Sequence, residues 1–329
     1  MATQSSESLY VDSIGWKDIP RDDPSVIALR NKLQQHNGIK GLDILSPTDT
    51  KRAVELFDRD GFVVIADFLK NDQVDMLAKG CEETIKEILA LDDDREGNRG
   101  SHRYSFGGSS LTRSRLHPPA WQMLLNIPEL HQIVSAIFRS SDYMLRAASG
   151  DFCLPGAVNY QILHSDTSDR TSNPFTKFFS FHDPRGQQTV RDLPCPYLAV
   201  NFLPQDVTSL NGPTRQIPGT QNSRARIPNL EEEPEWMRLS TVCPAPAGAI
   251  MIRDVRAWHG GTPNISEAVR SIPNLEFYAP WYREPVTPGI SYQDFKKLSE
   301  PAQKVARFHV ADSSEHLEVG SILNNIFKS

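Results

Sequence analysis

The stretch Tyr160–Arg170, YQILHSDTSDR, decides how the rest of the chain is read. Ala157 to Leu163 predict a strand that ends in apolar residues, and a histidine and an aspartate follow two positions apart. Side chains at i and i+2 of an extended strand point the same way, so His164 and Asp166 would project together from one face. That offers one nitrogen and one oxygen ligand at a spacing the backbone holds. With nine histidines and 41 acidic residues among 329, one His-x-Asp/Glu triplet is expected by chance, and a second exists, His316-Leu-Glu318. The second lies in SSEHLEVGSILNNIF, whose serine cap and spaced apolar residues predict a helix, where i and i+2 diverge by about 200°. No histidine follows it.

His164 does have a downstream partner. In MIRDVRAWHGGTPNISEAVR, residues 251–270, an apolar strand runs into Trp258-His259-Gly260-Gly261, and two glycines let the backbone pass close to whatever the ring binds. Two histidines and one carboxylate occupy one face of an octahedral iron(II) and leave three positions open, the facial triad of non-haem iron oxygenases. Zinc is the rival metal, because a catalytic zinc also takes two histidines and a carboxylate. Arg270, eleven positions after His259, weighs toward iron: a planar guanidinium grips a carboxylate at two points, which suits a dicarboxylic cosubstrate better than water-activating zinc chemistry. Alone, such an arginine is more often half of a surface ion pair; in order after His164, Asp166 and His259 it reads as part of a site.

The totals fit a soluble globular protein, with 39% hydrophobic and 23% charged residues. A formal charge of −6 with no basic run argues against a nucleic-acid partner. Cys81, Cys153, Cys195 and Cys243 are far apart and form no Cys-x-x-Cys pair, so reduced core thiols are expected. There is no apolar window of membrane-spanning length and no secretory leader pattern, which makes a cytoplasmic location the default reading.

Residues 1–50 are polar and mixed, with one short helix, and are read as an arm or lid; residues 51–329 are read as one domain. DGFVVIADFL predicts a short strand, and the residues from Asn71 or Asp72 to Leu91 a helix capped by one of those two, with Val74, Leu77, Cys81, Ile85 and Ile88 along one face. REGNRGSHRYSFGGSSLTRSRLHPP reads as a loop, and PAWQMLLNIPELHQIVSAIF as a second helix. Short apolar runs follow at Tyr197–Leu203, Ala249–Arg253 and Leu275–Tyr282, separated by Pro- and Gly-rich connections. Helices first and many short strands afterwards predict a mainly β sandwich or barrel faced by helices.

Four blocks in this order, FDRDGFVVIADFLKNDQVDMLAKGCEE, YQILHSD, NFLPQDVTSLNGPTRQIPGTQ and WHGGTPNISEAVR, resemble the phytanoyl-CoA dioxygenase-like family of iron(II)- and 2-oxoglutarate-dependent oxygenases, over roughly residues 50–285. The resemblance implies a double-stranded β-helix, the cupin-like jelly roll, supported by N-terminal helices. It implies Fe(II) held by His164, Asp166 and His259, 2-oxoglutarate paired through Arg270, and O2 as oxidant. Thr214 and Gln161 match the family's positions that hydrogen-bond the cosubstrate. On an ideal strand, however, Gln161 alternates away from His164, so a twist or bulge is needed to bring it in. Ser165 between the ligands points away from them, and the presence of Asp166 speaks against the halogenating variant of this chemistry. The implied reaction oxidises a C–H bond of a small molecule, by hydroxylation, desaturation or ring closure, in specialised metabolism. Members of this type are often homodimers, although no interface is marked here.

Tyr160, Phe179, Phe181 and Trp258 are candidate cavity walls, each with core packing as the commoner role for such residues. Arg103, Tyr104 and Arg113 in the Gly-Ser-rich loop are candidates to meet substrate as a lid closes, and His182 is a candidate pocket donor. Two other classes remain open: a zinc or manganese cupin-like hydrolase or isomerase with the same triad and no role for Arg270, and a non-catalytic jelly-roll binding module.

Overall fold

The computed structural model describes residues 14–35, 38–107, 115–167, 181, 183–312, 317 and 319–322. The expectations placed on Arg113, Phe179, His182, His316 and Glu318 lie outside the described residues.

The chain begins with α1 (Pro24–Gln35), the two-residue strand β1 (Ile44–Leu45) and α2 (Thr50–Asp60). Gly61, with φ of 79°, ends α2 in the left-handed conformation that favours glycine and turns the chain into β2 (Phe62–Ile65). The long helix α3 (Asn71–Leu89) buries Leu77, Cys81, Ile85 and Ile88 as the spacing predicts. Its cap is not the expected asparagine or aspartate: the first residue before the helix is Lys70, whose N–H donates to the Gln73 side chain at 2.9 Å. The second helical pattern is two helices, α4 (Pro119–Leu125) and α5 (Pro128–Phe138). The break falls just before Pro128, whose ring disfavours helical geometry in the preceding residue.

The remaining strands are β3 (Arg103–Phe106), β4 (Met144–Cys153), β5 (Tyr197–Phe202), β6 (Thr214–Gln216), β7 (Ile250–Asp254), β8 (His259–Gly261) and β9 (Arg270–Tyr278). Five of these join β1 and β2 in one sheet of order β1-β2-β7-β5-β9-β4-β3, and β6 pairs with β8 in a second small sheet. Isolated bridges at His164–His259, Ala157–Asn264 and Arg215–Thr241 widen that second layer. The two layers form an open jelly roll, mainly β with flanking helices.

Strand alternation divides the large sheet into two faces. Leu198, Val200 and Phe202 of β5, Ile250 and Ile252 of β7, and Leu275 and Phe277 of β9 join the main core, together with buried residues of α2 to α5. The alternate residues Tyr197 and Asn201, Arg253, and Arg270, Ile272, Asn274 and Glu276 line a cavity between the layers. The helices therefore hold one face of the sheet rigid while the other remains polar.

Two further expectations fail. Ala157–Leu163 is not a strand but an irregular segment tied down by single bridges. The supposed loop around Arg103 and Tyr104 contains β3, paired antiparallel with β4; Arg103 is 5% and Tyr104 0% exposed, so neither belongs to a mobile lid. Tyr104 stacks on Phe152 at 4.7 Å and donates from its hydroxyl to Asp92 at 2.8 Å.

Candidate active site

The segment bearing His164 is fixed to the strand bearing His259 by a reciprocal pair of backbone bonds, N–H to carbonyl in both directions at 3.0 Å. Asp166 is anchored by its own N–H to Val255 O at 2.9 Å. This lattice replaces the predicted strand and delivers the predicted convergence. His164 Nε2 and His259 Nε2 stand 3.6 and 3.4 Å from Asp166 Oδ1, and one donor atom from each of the three residues lies within 4.8 Å of the others.

Each ring is oriented by its other nitrogen. His164 Nδ1 faces Ile162 O at 3.1 Å and His259 Nδ1 faces Ala257 O at 2.9 Å. A carbonyl only accepts, so both Nδ1 atoms carry a proton, and in the neutral ring it is Nε2 that presents a lone pair to the carboxylate corner. Burial, and then the neighbouring His259, pulls the His164 imidazole down to about 4, which keeps it neutral and able to ligate near neutral pH. Burial opposes ionisation of Asp166, but the Arg253 guanidinium overrides it and holds the carboxyl well below the usual range. Two imidazoles and one ionised carboxylate, with converging donor atoms, suit a divalent metal of the iron, zinc or manganese kind.

Arg253 is the residue that sequence reasoning missed. Its Nη1 donates to Asp166 Oδ2 at 2.7 Å, leaving Oδ1 toward the histidines. It sits on the cavity face of β7, directly after the apolar run Ile250-Met251-Ile252. That charge in a buried strand was the available signal.

Arg270, at the start of β9, is 4% exposed and donates from Nε to Gly212 O at 2.9 Å. Burial draws its guanidinium below the ordinary arginine value. No described carboxylate lies within ion-pair distance of it, and it lines the same cavity as the triad. Thr214 lies opposite Gly261 across β6 and β8, also on the cavity wall, with its hydroxyl in no hydrogen bond among the described residues. Arg103 is a second buried cavity arginine without a described carboxylate partner, and it donates to Asn159 O at 2.9 Å and to Thr262 O.

Gln161 reaches the cavity because the segment is irregular. Its amide is already engaged at both ends, accepting from Gly261 N at 2.9 Å and donating to Arg99 O at 3.0 Å. A Cβ at Gly261 would come within 2.6 Å of Gln161 Oε1 and 2.8 Å of Arg103 Nη1, so any larger residue there would displace these two side chains. Ser165 points away as expected, donating to Thr167 O at 2.9 Å. Tyr160, Phe181 and Trp258 are not among the cavity-lining residues. Trp258 packs with Leu163 and Ile217 instead, and Tyr160 lies under the Arg215 guanidinium.

The cavity, of about 280 Å³, thus has a converging triad at its mouth and buried arginines in its wall. The sequence model of the phytanoyl-CoA dioxygenase (PhyH) family matches residues 57–272, about two thirds of the chain. The chain belongs to this family of non-haem iron- and 2-oxoglutarate-dependent oxygenases. Among solved structures it is similar to EctD from S. alaskensis, determined with 2-oxoglutarate and 5-hydroxyectoine (TM-score 0.50, 20% identity, covering 73% of this chain and 79% of that one). It is also similar to AviO1 from Streptomyces viridochromogenes Tue57 (TM-score 0.48, 21% identity, 72% and 98%). A third is the carbocyclase SnoK from nogalamycin biosynthesis (TM-score 0.46, 17% identity, 72% and 90%). No described helix is long and apolar enough to cross a membrane.

Proposed function

We propose that His164 Nε2, Asp166 Oδ1 and His259 Nε2 hold iron(II), and that Arg270 pairs with the distal carboxylate of 2-oxoglutarate while the Thr214 hydroxyl donates to it. The observation that carries this reading is Arg270: a buried cation without a described carboxylate, opening on the cavity that holds the triad. Buried charges are normally paired, so an anion supplied by a ligand completes the wall. A cupin-like hydrolase would have no use for it. Iron held there would supply the O2-activating redox chemistry for oxidising a substrate C–H bond, coupled to oxidative decarboxylation of 2-oxoglutarate to succinate and carbon dioxide.

The protein's own groups do the positioning. The carbonyls of Ile162 and Ala257 fix the tautomers of the two ligating rings, and Arg253 fixes the rotation of the Asp166 carboxylate. Gln161 is read as a brace: by joining Gly261 N to Arg99 O it sets the distance between the His164 segment and the cavity wall. The substrate is a small molecule, and specialised metabolism is the proposed setting.

Anaerobic titration of the metal-free protein with Fe(II) and then 2-oxoglutarate tests the reading. A weak visible charge-transfer band of the chelate is expected; iron binding without that band would transfer the case to the hydrolase. Arg253→Met should weaken iron(II) about 10–100-fold, the usual effect of losing a group that orients a metal ligand. Arg253→Lys should recover part of the loss, and equal iron affinity in all three proteins would remove the clamp from the account.

A further inference from the structure

The cavity carries a second set of polar groups with unused bonding capacity. The inward positions of β9 run Arg270, Ile272, Asn274, Glu276. At about 3.3 Å per residue, Glu276 lies roughly 20 Å along the strand from Arg270. An extended 2-oxoglutarate spans only about 5 Å between its carboxyl carbons, so it does not occupy both ends. Across the sheet Glu276 pairs with Ala199, and Ala199 with Arg253, the residue on Asp166. With strands about 4.8 Å apart, Glu276 stands roughly 10 Å from Arg253, within reach of a small molecule seated beside the triad.

The Glu276 side chain is 11% exposed, and its Oε2 accepts from Arg146 Nη1. Its Oε1 accepts no hydrogen bond among the described residues. Arg146 is the additional residue of a bulge between Leu145 and Ala147, which turns it into the cavity. It lies over the Tyr197 ring at 4.6 Å, donates to Glu284 at 3.2 Å and leaves its own Nε buried without an acceptor. Glu284, which shares Arg146 with Glu276, is not among the cavity-lining residues, so Glu276 is the carboxylate presented at this end of the cavity. Asn201, 5% exposed, lines the wall nearby, and its amide makes no hydrogen bond among the described residues. Buried polar groups are almost always satisfied; here they face a cavity.

We propose that Glu276 and Asn201 form a substrate subsite that takes a nitrogen donor, a protonated amine or an amide N–H, on a small molecule. The proposal rests on the oxygenase reading of the cavity. Glu276 Oε1 accepts one N–H of that nitrogen, and the Asn201 amide oxygen accepts a second. A long acyl chain laid along this wall would leave the same groups desolvated and unpaired.

The protein loaded with Mn(II) and 2-oxoglutarate, titrated calorimetrically with benzylammonium and separately with benzoate, tests this. Benzylammonium should bind at least about tenfold more tightly than benzoate, and Glu276→Gln should weaken it about tenfold, the loss of one charge-assisted hydrogen bond. Affinity for 2-oxoglutarate should stay unchanged. Asn201→Leu, which breaks no ion pair, should weaken benzylammonium by about threefold and decides the matter if Glu276→Gln does not fold. Benzoate binding as well as benzylammonium, no benzylammonium binding at all, or indifference to the variants would overturn the subsite. Wild-type protein that fails to bind 2-oxoglutarate would instead overturn the oxygenase reading.

Discussion

Replacing Glu233 by leucine is expected to lower stability by about 3–5 kcal/mol, because it leaves Arg215 as an uncompensated buried charge. Both side chains of this pair are 0% exposed. Arg215 bonds both carboxylate oxygens, Nη1 to Oε2 and Nη2 to Oε1, the latter at 3.1 Å. It also donates from Nη2 to Gln161 O and lies over the Tyr160 ring at 5.4 Å. The pair therefore pins the segment that carries His164, and the variant should lose iron affinity along with stability. Urea unfolding followed by circular dichroism measures the first effect. Arg215→Met combined with Glu233→Leu should recover most of the loss, since an apolar pair of similar volume replaces a buried ion pair at little cost. A single variant within about 1 kcal/mol of wild type would show that water reaches the pair.

The ligand set was legible in sequence because its chemistry is local: His164 and Asp166 sit two apart, and His259 precedes two glycines. Their convergence did not require the predicted strand. Two backbone bonds between His164 and His259 were enough, and such single bridges leave no periodic signature. β3 was hidden by its composition, since Gly, Ser and Arg surround RYSF, and only pairing with β4 makes it a strand. β4 itself, MLRAASGDFC, has no β-branched residue, yet it is paired on both edges, with β3 and β9. Tertiary pairing thus overrode local preference in the two strands that carry Arg103 and Arg146 into the cavity. Arg253 escaped for the opposite reason. The apolar neighbours that correctly marked β7 drew attention from the arginine on its cavity face, although a charge at an inward register position is the feature a buried strand has most need to explain.

Arg270→Met should raise the 2-oxoglutarate concentration needed for half-saturation by about 10²–10³-fold, because a two-point charge-assisted contact is lost. Iron affinity should be unaffected, since Arg270 makes its recorded bond to Gly212 O and to none of the triad. The same variant should leave the stability of the ligand-free protein unchanged or raised. A cation that is 4% exposed and has no described carboxylate partner is unfavourable to bury, and methionine keeps much of its volume without its charge. Adding 2-oxoglutarate should then reverse the order: saturating ligand stabilises only the protein that binds it, so wild type gains in melting temperature and the variant does not. A purely structural arginine predicts the opposite pattern, a lower melting temperature for the ligand-free variant and an undiminished ligand-induced rise. The two melting curves with and without 2-oxoglutarate therefore separate a residue kept for the fold from one kept, against the fold's own preference, for the cosubstrate.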